Sequence, residues 1–285
     1  MSGALLDDAP VAVLPGTAAA RRGRGPRRLL GLLAPLLLLG GWAFESAHDL
    51  VSVRLLPAPA TVGSAFVDFF GPGRTDTLAG VVPFAGAGWE HLAASATRCL
   101  VSWVLAVVVG TLVGLLLGLS RTARDLLDPV LNALRAVPLF AWLPLVLIWF
   151  GLGEGAARAL IFLGALWPVL VSVADATGRV PKAHVETARM LGVPVRGLGR
   201  RVYLPSALPE VVTGLRLSLT LAWTCVIVGE LSGTSLGLGA MMNAARETGS
   251  TDQVMVGIVV FAAVGLSADL LLRALARPFV RWADA

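Results

Sequence analysis

The chain has 285 residues, 56% of them hydrophobic and only 14% charged, and its mean hydropathy is +0.79. Soluble domains run to about 25% charged residues, so this composition excludes both an ordinary soluble enzyme and a disordered chain. An all-α polytopic membrane protein remains. The net charge of +5 then concerns the membrane rather than nucleic acid, for which no role is expected.

In chain order, residues 1–26 read as a disordered cytoplasmic leader, Ala- and Pro-rich at first and Arg-rich at its end. A hydrocarbon core about 30 Å thick needs ~20 apolar helical residues, and six segments qualify: about 29–46, 92–119, 128–150, 157–175, 209–230 and 253–275. The first has a basic flank like a signal peptide, but WAFESAHDL carries no cleavage site, so it reads as an uncleaved helix. The third is the weakest, because Pro138 and Pro144 kink it. In the external loop 47–91, a short amphipathic helix is expected from near Thr61 until Gly71-Pro72-Gly73 breaks it.

Seventeen Lys and Arg residues fall in segments 1–28, 120–135, 176–208 and the tail, against four in the alternate loops. The positive-inside rule puts both termini in the cytoplasm. Residues 27–282 form the membrane domain, with 283–285 as a tail. Cys99 and Cys225 lie in apolar stretches, so no disulfide is expected. His48, His91 and His184 are far apart and read as solvated or interfacial, and no metal site is expected.

The cytoplasmic stretch 176–208 is too long for a tight turn. It is helix-permissive from Lys182 to Leu191, halted by Gly192 and Pro194, and permissive again to about Tyr203; Pro205 and Pro209 punctuate the approach to the fifth span. Gly192 tolerates positive φ and so can set the bend. Glu186-Thr187-Ala188, three residues, Gly192, nine residues, then Val202-Tyr203-Leu204-Pro205 resembles the EAA motif of bacterial ABC importer permeases, with Thr187 for Ala and Val202 for Ile. Over about residues 27–282, LLPAPATV, RAVPLFAWLPLVLIWFGLGE and GLRLSLTLAWTCVIVGEL look like the permeases for aliphatic sulfonates, taurine and nitrate.

The resemblance implies a type I importer permease of the bacterial inner membrane, working by alternating access. Two cytoplasmic ATPase copies, an extracytoplasmic substrate-binding protein and a second permease copy are the implied partners. ATP and Mg bind the ATPase; no cofactor is expected on this chain, which has no phosphate-cradling G-x-x-x-x-G-K-[ST] run and no catalytic residues. Glu186, Thr187, Ala188, Gly192, Arg196, Leu204 and Pro205 are the expected ATPase-coupling residues. The expected solute is a small anion: an aliphatic sulfonate or taurine, with nitrate or bicarbonate as the alternative. A self-contained secondary transporter is a further alternative, but no internal repeat supports it.

Ionisable residues within spans usually face the protein interior. Arg98 either snorkels outward or pairs with a carboxylate or contacts an anion. Arg216, a turn and a half into the fifth span, either reaches the interface, pairs with a carboxylate, or offers positive potential to an anion. With Arg216, the residues Thr220, Trp223, Thr224, Glu230, Phe140 and Trp142 form the candidate path; Glu230, near the outer end, serves an outer gate or faces water, and helix packing is the alternative for the others. Asp269 and Arg273 read as an i,i+4 surface pair.

Overall fold

The structure is a computed structural model that describes residues 25–48, 50–71 and 84–280. Most of the expected leader and the tail lie outside the described residues. Two units separate, Met1–Leu50 and Val51–Ala285. In the first, α1 covers Gly25–Ala47, 23 residues, and is apolar over its portion Leu33–Ala47.

The second unit is all helical among the described residues. Four helices are long and apolar enough to cross a membrane: α3 (Gly88–Leu119), α6 (Glu154–Gly178), the stretch Arg201–Glu230 that contains α9 (Leu204–Glu230), and α11 (Thr251–Val280). The expected third span is a bent pair, α4 (Arg121–Ala136) and the segment Leu139–Phe150 that ends in α5 (Leu143–Phe150), at 93° to each other. Val137-Pro138 breaks the helix there, since a residue before proline is pushed out of the helical region; Val137 has ψ 121°. The pair nonetheless climbs along α6. Arg124 bonds the Ala174 carbonyl, Leu131 packs near Leu170, and Val146 packs on Ala156 and Leu160.

α6 is the central helix. Gly110 and Gly114 of α3 face it so closely that a Cβ at Gly114 would lie 2.8 Å from the Leu170 carbonyl oxygen. Small residues of this kind let membrane helices approach where no hydrophobic effect drives them together. On its other side α6 meets α9, where a Cβ at Gly229 would lie 3.0 Å from Ala157 Cα.

Several boundaries differ from the sequence reading. α2 (Pro59–Phe70) begins two residues before Thr61 and buries Val62, Ala65 and Phe69. α9 starts at Leu204 rather than 209, so Pro209 sits inside the helix instead of ending the loop; membrane helices tolerate proline where neighbours satisfy the freed carbonyl. An unexpected α10 (Leu238–Glu247) follows the fifth span. His91 is buried rather than solvated.

Candidate functional site

Two regions carry the chemistry: the loop between α6 and α9, and the polar groups within the helices. In the loop, α7 (Lys182–Met190) ends in a glycine bend. Gly192 adopts φ +78°, its N–H reaches the Arg189 carbonyl (3.0 Å) and the Val193 N–H reaches that of Ala188 (3.0 Å). Left-handed backbone of this kind costs glycine little and other residues more. α8 (Val195–Leu198) then runs through a π-helical turn, Gly199–Tyr203, into α9. Arg196 lies in α8; its side chain is outside the described residues.

Within α7, Ala188 turns inward while Glu186 and Thr187 are exposed. Met190 and Leu191 are 82% and 79% exposed at the tip, and Leu204 is also exposed, with Pro205 beside it in the first turn of α9. Nothing lies within 4 Å of where a Gly192 Cβ would be. Two large apolar side chains thus flank an open glycine bend.

Near the opposite ends of α3, α6 and α9, Arg98 is 3% exposed and does not snorkel. Its guanidinium forms ion pairs with Glu154 of α6 and Glu230 of α9 and donates to the Leu236 carbonyl (3.1 Å). Glu230, fully buried, also accepts from Ser95 Oγ (2.6 Å) and from the Gly239 N–H at the start of α10 (2.7 Å). The Gly237 N–H donates to His91 Nδ1 (3.1 Å). A helix N-terminus favours a carboxylate, and buried charge requires this degree of pairing. Arg98, Glu154 and His91 were absent from the expected site; Glu154 and Glu230 lie 56 and 132 residues from Arg98, so spacing gives no signal for their meeting.

Arg216 lies midway along α9, deeper than expected because the helix begins earlier. Its Nε and Nη2 bond the two oxygens of Asp269 on α11 (3.0 and 3.2 Å), and Arg273 bonds Asp269 as well (3.0 Å). Thr220, Trp223 and Thr224 line a cleft of about 80 Å³ beside Asp269. Both threonine hydroxyls donate to carbonyls one turn back. Trp223 is buried, stacked on Phe261 and bonded to its carbonyl (2.9 Å). Trp142 instead lines a second cavity of about 240 Å³ with Leu221 and Cys225, and Phe140 on the same 3-10 turn is exposed. The structure therefore splits the candidate path residues into two groups and leaves Glu230 in the Arg98 cluster. Among the described residues no group of His, Cys, Asp or Glu could hold a metal.

Residues 106–281 match the family described as "Binding-protein-dependent transport system inner membrane component". The chain belongs to this family. As an ABC importer permease of the bacterial inner membrane it is a transport subunit, not a catalytic enzyme. It is 38% identical over 254 residues to the taurine transport system permease protein of Escherichia coli, covering 89% of this chain and 88% of that one. It is 33% identical over 270 residues to a putative aliphatic sulfonates transport permease protein of Bacillus subtilis (94% and 93%). It is 30% identical over 264 residues to a bicarbonate transport system permease protein of Synechococcus elongatus (90% and 92%). In fold it is similar to a chain of the inward-facing MetNI methionine ABC transporter, with a TM-score of 0.57, 23% identity, and coverage of 67% of this permease and 95% of that chain.

Proposed function

We propose that this permease imports a small anion, an aliphatic sulfonate or taurine, as a pair of identical copies driven by two cytoplasmic ATPases and supplied by an external binding protein. The permease crosses the membrane six times with both termini in the cytoplasm. The observation that carries the reading is the loop tip, where exposed Met190 and Leu191 flank the open bend at Gly192, on the side where basic residues gather. Exposed apolar residues clustered on a polar loop mark a protein contact, and the ATPase is the occupant the family supplies.

The loop is also a lever. α8 and the π-helical turn run into α9 without a break, and Arg179 reaches Glu210 of α9 (3.5 Å). Displacement of the tip by ATPase closure therefore moves the fifth span, which carries Arg216, Thr220, Trp223, Thr224 and Glu230. Thr213, Leu217, Thr220, Leu221 and Thr224 form an exposed stripe on α9, a mixed polar and apolar face suited to a solute path between two copies. ATP binding opens this path outward to receive solute, and hydrolysis with Mg on the ATPase resets it; the permease performs no bond chemistry.

The test is a pull-down of the tagged permease from native membranes, wild type beside G192E. Recovery of an ATPase that the variant loses supports the docking surface. A co-purified binding protein is then titrated with taurine, ethanesulfonate, nitrate and bicarbonate. Recovery of intact permease without ATPase in several mild detergents counts against the proposal.

A further inference from the structure

Arg135 was counted among the basic residues of the cytoplasmic loop, but its surroundings are different. α4 climbs along α6, and Arg135 lines cavities together with Trp167, Pro168 and Gly164. Those residues sit near the middle of the 25-residue helix α6, roughly 15–20 Å from either end at ~1.5 Å per residue. Arg135 is thus level with the middle of α6, and its side chain is exposed on the single chain. Such a group is expensive in lipid and faces protein or a wet cavity.

It is also uncompensated. None of the ion pairs among the described residues includes Arg135; its Nη2 donates to Asn132 Oδ1 at 3.0 Å. A guanidinium has more donors than this one bond uses. Arg98 and Arg216, by contrast, are each held by a carboxylate. Asp128, Asp175 and Arg124 line the lower cavity, with Asp175 held by Arg179 (3.0 Å) and Arg124 by the Ala174 carbonyl (3.2 Å).

Arg135 and Trp167 stand where the two cavities, about 260 and 240 Å³, meet. Each is many times the ~10–15 Å³ that one water needs. The upper one is walled by Trp142, Leu221 and Cys225, so it opens beside the exposed stripe of α9. We propose that Arg135 is the anion-binding residue of the translocation path, with Trp142 and Trp167 as the apolar walls of its subsite, and that the paired Arg216 is not. Planar, forked donors suit the oxygens of a sulfonate or of an oxyanion of similar shape. The proposal rests on the anion-importer reading and names the residue within it.

The test uses the complete importer, permease with ATPase and binding protein, in proteoliposomes. ATP-driven uptake of taurine, ethanesulfonate, nitrate and bicarbonate is measured beside ATP hydrolysis for wild type, R135Q, R135K and R216Q. R135Q should lose uptake roughly tenfold or more while keeping hydrolysis stimulated by the loaded binding protein; R135K should retain an intermediate rate, and R216Q should retain more uptake than R135Q. Wild-type uptake with equal uptake by R135Q overturns the proposal and leaves the importer reading intact. Loss of both uptake and hydrolysis in R135Q and R135K marks a structural role and also overturns it. A wild-type complex that imports none of the four anions overturns the importer reading, and this proposal with it.

Discussion

Replacing Arg98 by Gln removes the only cation bonded to Glu230 among the described residues and leaves that carboxylate 1% exposed in the helix interior. Breaking a buried ion pair from one side costs about 3–5 kcal/mol. The Arg98–Glu154 contact is different, because the Glu154 side chain is 53% exposed; E154Q should cost less than about 1 kcal/mol. The Glu230 charge is the cause in this argument, so E230Q should partly rescue R98Q by removing it while keeping an oxygen for the Gly239 N–H. Unfolding free energies of the four proteins in mixed micelles titrated with SDS measure this. Equal losses for R98Q and E154Q, or a double variant R98Q/E230Q less stable than R98Q, would refute the reasoning.

Other consequences are simpler. G192N should retain uptake because Asn tolerates the left-handed backbone, whereas G192A should lose roughly 1–2 kcal/mol of local stability, seen as faster hydrogen exchange in α7; equal exchange in both would deny that φ +78° constrains this position. G114L should separate α3 from α6, because even a Cβ there meets the Leu170 carbonyl oxygen at 2.8 Å, costing at least about 1–3 kcal/mol in the same SDS titration; unchanged stability would contradict the close packing. Cys99 and Cys225 are both buried, so engineered thiols stand out against low background: M190C should react with a membrane-impermeant maleimide only in inside-out vesicles, and L152C only in right-side-out ones. Labelling of both from one side would contradict the orientation.

Membrane character, the later spans and the helix-bend-helix between α6 and α9 were legible because each is a local signal. Apolar length marks α3, α6 and α11, and Gly192 announces a bend through its own backbone freedom. The polar interior was hidden. Arg98 meets Glu154 and Glu230 across 56 and 132 residues of sequence, and no periodicity encodes such a contact. The surroundings of Arg135 were hidden as well, because counting charges by segment does not show that α4 runs along α6 before the break at Val137-Pro138. α10 was missed because its ten residues are too short and too polar for a span.

The central claim is that this permease transports nothing alone and is driven through its α7–α9 loop. The most direct measurement is solute uptake set against ATP hydrolysis in proteoliposomes, for permease alone, permease with ATPase and loaded binding protein, and the same complex carrying G192E. The expected result is uptake in the wild-type complex only, with G192E abolishing uptake and its coupling to hydrolysis. Uptake by the permease alone, or by a G192E complex at the wild-type rate, would contradict the claim.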